Sequence, residues 1–570
     1  MKKIIAFLIA FVMIAGMVPT FAFAETSDSL ERYCAVCTAV GDKDQNGILD
    51  PDDALCLLSC QLFPNRYNVL EHSGHTEGDC AECTKAGDMD QNGVFDQDDV
   101  MFLLYRTLFP NDFILPDCTC AGLLWVGYAR VEITPEESMP IYGSTATSAH
   151  DPLQLTCTAV NDGKNTALLF SADLRNLSVD FTKVLTDLIK EKFGIPAEHV
   201  MINITHTHSA PNSPTSSASA TSASGRWKKK LCDQLEIVVR AALDDLDEVD
   251  GIYVGTGHTS GVTFVRRYLM PDGSYDTNPS LGTATAHESE ADTEMRTIRI
   301  NRKNEKDIVM VNYQTHYGSA TGLYEGQYSA DFVHEFRERV EADQELDCHF
   351  VYHSGASANL NFNSAIRGER KYPDFIQAVK GINDKTQDAN GGKGLIPTMK
   401  ECLAAEKQVS LGKLRFASKW VEGPVYQDSA EDKVKALRID SSGYDTSSAE
   451  YKALLAEAGF VSYRQVQGIV TRAGLGKSVD VPFYAITFGD IGFVSSPYEM
   501  FDTNGMQVRE GSPFKMTFVC SYTNGGFGYV PSSLAFPHKC YEVYVSRFCE
   551  TTGDDFAAEM VSLLKECKNK

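Results

Sequence analysis

Between residue 123 and the carboxyl terminus, short apolar runs alternate with longer amphipathic stretches. A short apolar or alternating run is typical of a strand, and an apolar residue every three or four positions is typical of a helix. The clearest strands are predicted at 167–171, 200–205, 308–315, 350–353, 484–488, 492–495 and 516–521. The clearest helices are predicted at 179–193, 229–245, 331–343 and 552–567. This alternation predicts a large mixed α/β domain over residues 123–567, long enough to bury its own core.

The amino terminus has a different pattern. Lys2-Lys3 precedes an apolar stretch that runs to about residue 23, and Ala22-Phe23-Ala24 is a small-x-small cleavage signal. These features are typical of a secretory signal peptide, which we place at residues 1–24, and a retained membrane anchor is the alternative. No later run approaches the roughly 18 apolar residues of a membrane span. We therefore expect a secreted, extracellular protein with no transmembrane segment in the mature chain.

Charge and cysteine content narrow the class of protein. The formal net charge is −25, from 77 acidic and 52 basic residues. Nucleic-acid binding requires a basic face, so this charge argues against a nucleic-acid partner. The 16 cysteines of an exported chain favour disulfides. Cys34/Cys37 and Cys80/Cys83 lie at equivalent places in a repeat, for which a zinc knuckle is the alternative. Disulfides are favoured because further cysteines lie nearby, at positions 56, 60, 118 and 120.

Two acidic segments, 41–53 and 87–99, repeat each other closely. Each has glycine at the sixth loop position, Gly47 or Gly93, where an EF-hand loop turns sharply. Side-chain oxygens at positions one, three, five, nine and twelve and a carbonyl at position seven suit Ca²⁺, which takes six to eight oxygens. The predicted ligands are Asp42, Asp44, Asn46, Ile48, Asp50, Asp53, Asp88, Asp90, Asn92, Val94, Asp96 and Asp99. A solvated acidic loop is the alternative to a structural calcium site.

An apolar helix is predicted after each loop, at 54–62 and 100–108. This pair of loop–helix units resembles a dockerin, a small EF-hand-like module that is mainly α-helical. The resemblance covers residues 33–112 and implies that the chain binds a cohesin domain of a scaffold protein. The twelfth loop position is Asp where EF-hand loops usually have Glu, and a long cysteine-bearing stretch separates the repeats.

The strand predicted at 200–205 is followed by His206 and His208. Side chains two residues apart along a strand point to the same side, so both imidazoles face one side where the strand stops. Neutral imidazole is a common zinc ligand, which makes the pair a candidate start of a metal site. A His-x-His in an ordinary core or loop is the alternative.

Further polar side chains follow predicted strands in the same way. They are His316, Ser357, Glu499 and Tyr529, the last on a glycine-rich turn. Sites in α/β folds concentrate in loops at strand ends. Each residue alone also has a structural explanation, such as a helix-start carboxylate for Glu499.

Six segments occur in a characteristic order: Gly127–Pro135, Thr205–Ser209, Asn312–His316, Gly355–Asn359, Pro497–Glu499 and Gly528–Pro531. Together they resemble the neutral/alkaline ceramidases over residues 123–560, and Thr-His-Thr-His-Ser is the most specific segment. The resemblance implies a catalytic Zn²⁺ held by His206, His316, Glu499 and Tyr529. It further implies that His208, Arg266, Ser357 and Tyr541 surround the amide of the substrate. The adjacent Arg267 is the alternative to Arg266, and which of the two faces the site stays open at this point.

The expected chemistry is amide hydrolysis. Zinc lowers the pKa of water from about 15.7 toward 7 and so supplies hydroxide for attack on a carbonyl. His208 and Tyr541 are expected to donate hydrogen bonds to the oxyanion, worth roughly 3–4 kcal/mol each. Ser357 is expected to bind a substrate hydroxyl, with a nucleophilic role as the alternative. Asp173, at the end of strand 167–171, is expected to orient a ligand histidine.

Three functions compete. The first is a zinc amidohydrolase acting on ceramide (N-acylsphingosine) or a related lipid amide, with a zinc esterase or amidase for another acylated substrate as a variant. The second is a serine hydrolase using Ser357, although the local sequence Gly-Ala-Ser-Ala-Asn lacks the Gly-x-Ser-x-Gly elbow. The third is a non-catalytic scaffold or binding module that bears a dockerin. Residues 213–224, a low-complexity segment after His208, are predicted to form a flexible surface loop, and a loop that edges the site is the alternative.

Overall fold

The computed structural model describes residues 124–316, 326–362, 364–367, 369 and 394–570. All of these residues fall within one unit of the chain, Ala121–Lys570. The signal peptide, the repeated calcium loops with their twelve ligands, and the cysteines before residue 121 lie outside the described residues. The calcium, dockerin and export predictions therefore stay predictions.

Strands supply most of the core of the described residues. They are β1 Trp125–Glu132, β2 Met139–Ile141, β3 Ser144–Ala146, β4 Ser148–Ala149, β5 Gln154–Asn161, β6 Thr166–Ala172, β7 Val200–Ile204, β8 Asp247–His258, β9 Phe264–Val265, β10 Arg267–Leu269, β11 Tyr275–Thr277, β12 Ala286–His287, β13 Glu294–Arg302, β14 Asp307–Tyr313, β15 Gln327–Tyr328, β16 Cys348–Ser354, β17 Leu360–Asn361, β18 Lys407–Val409, β19 Leu414–Pro424, β20 Ser478–Phe488, β21 Ile491–Ser495, β22 Glu499–Met500, β23 Met516–Cys520 and β24 Tyr529–Val530. Each of the seven strands predicted above corresponds to one of these, which confirms the strand predictions.

Helices connect the strands and cover the sheets. They are α1 Val179–Phe193, α2 Ala223–Asp244, α3 Phe332–Glu341, α4 Leu395–Ala404, α5 Ala430–Asp440, α6 Ala449–Ala458, α7 Tyr463–Ala473, α8 Asp502–Gly511, α9 Tyr541–Val545 and α10 Thr552–Asn569. The four predicted helices are confirmed, and α1 has the predicted bounds because Ser178 caps its first turn and Gly194 ends it in a left-handed conformation.

The second helix begins earlier than predicted. It starts at Ala223 rather than at residue 229, because the hydroxyl of Ser222 accepts a hydrogen bond from the backbone N–H of Gly225 at 3.0 Å. A serine in this position is a strong helix start signal. The end of the predicted loop at 213–224 therefore belongs to a helix.

Two sheets face each other at the centre of the fold. The larger has nine strands in the order β16-β14-β13-β8-β1-β5-β6-β7, with β18 also paired to β8, and the smaller has the order β19-β20-β21-β23. Alternating side chains on β6 show the arrangement: Leu169 packs toward Phe493 and Phe518 of the smaller sheet, whereas Leu168 and Phe170 face the other way. Successive residues of β6 thus pack into two different hydrophobic cores.

Helices cover the outer faces of both sheets. α1 and α2 pack on the β5–β6–β7 side of the larger sheet, and α3 and α4 pack on its β14–β16 side. α8 and α10 pack on the outer face of the smaller sheet through Phe556, Leu564 and their neighbours. The result is a layered α/β fold, as the sequence pattern predicts.

The carboxyl ends of several strands meet at one edge of this fold. β6–β7, β14–β16 and β21–β23 are parallel pairs. The hydroxyl of Ser354 at the end of β16 donates to the carbonyl of Ile204 at the end of β7, at 2.9 Å. The backbone N–H of Ser521, after β23, donates to the carbonyl of Ser354 at 3.0 Å. Loops from both sheets consequently emerge side by side, where α/β folds commonly build ligand sites.

The described cysteines form no disulfide with one another; they are Cys157, Cys232, Cys348, Cys402, Cys520, Cys540, Cys549 and Cys567. The predicted disulfides of the first 120 residues lie outside this part of the chain. Within the described ranges, none of the helices has the length and apolar character needed to cross a membrane.

Candidate metal site

His206 is the centre of the candidate site, directly after β7. It is buried in a left-handed backbone conformation, φ 57°, and its Nδ1 donates to the carbonyl oxygen of Arg175 at 2.6 Å. A carbonyl only accepts, so Nδ1 carries the proton and Nε2 keeps its lone pair. That Nε2 atom lies 3.4 Å from Nε2 of His208 and 3.8 Å from Oε2 of Glu499.

Three histidines converge at this point. The metal-ligating atoms of His206, His208 and His316 lie within 4.8 Å of one another, and the three rings stand nearly perpendicular in pairs. Burial lowers the pKa of His206 to about 3 and holds the pKa values of His208 and His316 well below the usual range. All three imidazoles are therefore neutral at physiological pH, the form that binds metal ions.

Glu499 and Tyr529 are brought together by a short parallel strand pair. β22 and β24 place these two residues directly opposite each other, and the backbone N–H of Glu499 donates to the carbonyl of Gly528 at 2.8 Å. Burial raises the pKa of Glu499 to about 7, against the opposing effects of the Tyr529 hydroxyl and Arg266. The carboxyl group thus titrates close to neutral pH.

Of the two adjacent arginines, Arg266 is the one that contacts Tyr529. Its Nη2 donates to the hydroxyl oxygen of Tyr529 at 3.0 Å, and its Nε donates to Glu542 at 2.9 Å. The neighbouring Arg267 points instead into a structural network with Glu288 and Glu542. The fully buried Glu542 thus pairs with both guanidinium groups, Glu288 supplies the second negative charge, and Arg266 is fixed beside Tyr529.

Ser357 and Tyr541 lie beside this arrangement. The hydroxyl of Ser357 is buried 3.2 Å from the hydroxyl of Tyr522, and the Tyr541 ring stands edge-on to the Tyr529 ring at 5.2 Å. Burial, followed by the nearby Glu499, raises the pKa of Tyr541, so its hydroxyl stays protonated at neutral pH. The structure therefore places near one another all eight residues that the resemblance assigned to zinc or to the amide.

Sequence reasoning missed two residues of the site. Tyr522 stacks on the His206 ring, 4.2 Å between ring centres and 12° between planes, while its hydroxyl reaches Ser357. Arg175 contributes the carbonyl that fixes the His206 tautomer, and its guanidinium lies over the Tyr142 ring at 4.8 Å. Tyr522 follows a predicted strand, which was a usable signal, whereas a backbone carbonyl leaves no trace in the residue type.

The predicted role of Asp173 is wrong. Its carboxylate accepts hydrogen bonds from the Thr205 hydroxyl at 3.1 Å and from Arg337 at 3.3 Å, while the carbonyl of Arg175 orients His206. Asp173 therefore stabilises the strand end before the histidines and acts on them only through the backbone. The chain continues past the end of β6, and this places the backbone carbonyl of Arg175, rather than the carboxylate of Asp173, beside the imidazole of His206.

A cavity of about 430 Å³ opens beside the site, large enough for a small-molecule substrate. Glu499, Tyr529 and Tyr541 line its inner end, and α7 with the segment after α9 forms its outer wall. The acidic and phenolic groups are thus accessible from one side, and the arrangement can hold a cation next to a substrate.

Comparison with known proteins identifies solved structures with a similar fold. No family model matches the sequence, and no curated protein matches it. A solved structure described as a ceramidase complexed with C2 is similar in fold, with a TM-score of 0.58 and 14% identity over 78% of this chain and 75% of that chain. The neutral ceramidase from Pseudomonas aeruginosa is similar at a TM-score of 0.56 and 13% identity, over 78% and 75% of the two chains. At these identities the likeness shows the fold alone, a ceramidase-like α/β fold.

Proposed function

We propose that this protein is a zinc-dependent hydrolase that cleaves the N-acyl bond of ceramide or a related lipid amide. The observation that carries the proposal is the cluster of three buried, neutral imidazoles, His206, His208 and His316, with ligating atoms within 4.8 Å. The fold, shared with structures described as ceramidases, supports the choice of substrate class.

The donor set fits a zinc ion. Nδ1 of His316 and Oε2 of Glu499 are buried and have no hydrogen-bond partner among the described residues. A buried polar atom without a partner costs about 1–3 kcal/mol, which a cation would offset. His206, His316, Glu499 and Tyr529 would hold the ion, a nitrogen and oxygen set that zinc accepts. Bound there, zinc would lower the pKa of a water molecule and polarise a carbonyl group.

The chain's own residues supply the remaining chemistry. The protonated hydroxyl of Tyr541 and an N–H of His208 are positioned as hydrogen-bond donors for a developing oxyanion. Glu499, besides being a proposed ligand, can accept and return a proton at a carboxylate oxygen. Ser357 binds a hydroxyl of the substrate while Tyr522 holds its Oγ.

Metal analysis tests this proposal directly. Purified protein is expected to hold one equivalent of zinc, and His206→Ala is expected to lose both the zinc and the hydrolysis of N-acylsphingosine. His258→Ala, a substitution of an exposed histidine on β8, is the matched control and should keep both. Equal zinc in native protein and His206→Ala would show that the ligand assignment is wrong. Simple N-acyl amides and esters, assayed in parallel, define the substrate.

A serine hydrolase is the second candidate, because Ser357 is buried within the site. Its Oγ shares a hydrogen bond with the phenol of Tyr522, which is a poor general base at neutral pH. Loss of activity on chelation with recovery on zinc addition fits only the zinc hydrolase. Activity that survives complete zinc removal but disappears in Ser357→Ala would favour the serine hydrolase.

We also propose that the protein is exported and attached to a scaffold through a dockerin-like module at residues 33–112. The repeated calcium loops and the signal-peptide pattern of the sequence support this proposal. Calcium-dependent binding to a cohesin domain, abolished by a calcium chelator, is the expected result. A non-catalytic role for the large domain would require that zinc-loaded protein hydrolyse neither amides nor esters.

A further inference from the structure

The cavity beside Glu499 carries positive charge on its outer wall. Arg464 and Gln467 from α7 and Arg547 from the segment after α9 line that wall. Asp440, at the end of α5, is exposed at the same opening, and Glu499 lies at the inner end. Two guanidinium groups therefore border the route to the candidate site.

Arg547 is the more unusual of the two. It is half-buried, burial lowers its pKa, and no carboxylate among the described residues lies within ion-pair distance of its guanidinium. The nearby Arg472 shows the ordinary alternative, because its buried guanidinium forms a two-point ion pair with Asp428 at 2.7 and 2.8 Å. A partly desolvated guanidinium without an acidic partner is costly, and an anionic ligand would remove that cost.

Arg464 is held toward the same space. Its guanidinium lies over the Tyr463 ring at 4.5 Å and over the Tyr541 ring at 5.3 Å, and Nη1 donates to Gln467 at 3.1 Å. Stacking on aromatic rings orients the guanidinium while leaving other N–H groups free to bind a ligand. Arg464 thus links the outer wall to Tyr541, the proposed oxyanion donor.

We propose that the natural substrate is an acyl amide that bears an anionic group, a carboxylate or a phosphate, bound by Arg464 and Arg547. The proposal deepens the proposed hydrolase function and rests on it. A chain with a net charge of −25 repels anions in general, so a cavity bordered by arginines marks a local exception. Guanidinium groups bind carboxylates and phosphates through paired hydrogen bonds, whereas a neutral alcohol headgroup uses neither charge.

Three amides with the same acyl chain test the proposal: N-dodecanoylethanolamine, N-dodecanoylglycine and the phosphate ester of the first. We expect native enzyme to prefer at least one anionic amide, and Arg547→Gln and Arg464→Gln each to lower the anionic-to-neutral ratio of kcat/KM about tenfold, mainly through KM. The carboxylate and phosphate arms show which anion is recognised. Arg438→Gln on α5 is the matched control, because its exposed side chain pairs with Glu457, and its ratio should equal that of native enzyme.

Calorimetric binding of the same three amides separates this proposal from the hydrolase proposal. Tighter binding of an anionic amide, lost in Arg547→Gln with zinc content unchanged, supports the anion site even if no amide is cleaved. Hydrolysis without charge preference, equally fast in the arginine variants, overturns the anion site and leaves the hydrolase intact. Thermal unfolding adds a check on folding: Arg547→Gln should not lower Tm, since it removes an unpaired charge, whereas Arg472→Gln should lower it.

Discussion

At the scale of single residues, backbone geometry sets the chemistry of the candidate site. His206 and Tyr522 both have left-handed backbones, with φ of 57° and 55°, which costs roughly 1–2 kcal/mol for a residue with a Cβ. The carbonyl of Arg175 and the stacked rings of the two residues hold this conformation in place. The strain directs Nε2 of His206 toward Glu499 and the phenol of Tyr522 toward Ser357.

Tyr522 offers a test that separates ring from hydroxyl. Tyr522→Phe keeps the stacked ring and removes the hydrogen bond to Ser357, so we expect native zinc content and a roughly tenfold lower kcat/KM for the amide. Tyr522→Leu removes the ring as well and should also weaken zinc binding, because His206 loses its support. Metal analysis beside steady-state kinetics measures both effects. Loss of zinc in Tyr522→Phe would contradict this division of roles.

From the raised pKa of Glu499, we expect the folding stability of the metal-free protein to depend on pH. Its pKa is raised from 4.5 to about 7, so the folded state binds the proton more tightly than the unfolded state. Below pH 4.5 the carboxyl is protonated in both states and costs nothing. Between pH 4.5 and 7 the unfolded state releases this proton while the folded state keeps it, so stability falls until the buried carboxyl also ionises near pH 7. Glu499→Gln should therefore be more stable than native protein at pH 8, by about 3 kcal/mol, and the gap should close by pH 4.5.

Chemical denaturation of zinc-free native protein and of Glu499→Gln at pH 4.5, 6 and 8 measures this gap. The neutral histidines titrate alike in both proteins and cancel in the difference. A gap that widens toward low pH would show that the folded state instead prefers the ionised carboxylate. Restoring zinc should reverse the order at pH 8, since the native carboxylate is a proposed ligand.

At the scale of elements, hydrophobic periodicity and capping residues were sufficient to predict the clearest strands and helices. The strand of Val200–Ile204 follows from its mainly apolar run, and the helix of Val179–Phe193 follows from its capping residues, Ser178 and Gly194. Strand order could not be predicted, since the pairing of β1 with β5 and β8 depends on contacts far apart in sequence. The Arg175 carbonyl and the Ser357–Tyr522 contact depend on that order and were missed for the same reason.

Close packing of α8 against the loop that carries Ala356 and Ser357 gives a prediction at this scale. A Cβ at Gly505 would lie 2.6 Å from the Cβ of Ala356, the residue before Ser357. Gly505→Ala should therefore push the loop, destabilise the fold by about 1–3 kcal/mol and reduce hydrolysis, with zinc retained. Gly476→Ala is the control, because its Cβ would meet no atom closer than 3.8 Å. Thermal unfolding and kcat/KM measure the two effects, and unchanged activity in Gly505→Ala would show that the loop position is not critical.

At the scale of the whole molecule, the two facing sheets explain how residues as distant as His206 and Tyr529 share one site. His206 directly follows β7, and Tyr529 begins the short strand β24 in the segment after β23. Hydrogen bonds such as that from Asn203 to Thr523, 2.9 Å, connect the two sheets at that edge. Composition and period predict the layers but not which strand ends meet. Only the order of short motifs linked these residues in advance, because a family resemblance carries three-dimensional information that hydrophobic pattern lacks.

The proposed division of the chain into a calcium module and a hydrolase domain predicts that the two metals act independently. Full-length protein should bind two Ca²⁺ in addition to one Zn²⁺, because each loop supplies a complete set of oxygen ligands. Asp42→Ala and Asp88→Ala, at the first position of each loop, should each remove one Ca²⁺, while zinc content and amide hydrolysis stay at native values. Asp52→Ala, at the non-ligating eleventh position, is the matched control and should keep both calcium ions.

Metal analysis after dialysis against trace calcium counts the ions, and cohesin binding measured on the same samples should fail in the two loop variants alone. If either loop variant lost zinc or hydrolysis, the large domain would depend on the repeat, and the two-module organisation would be wrong.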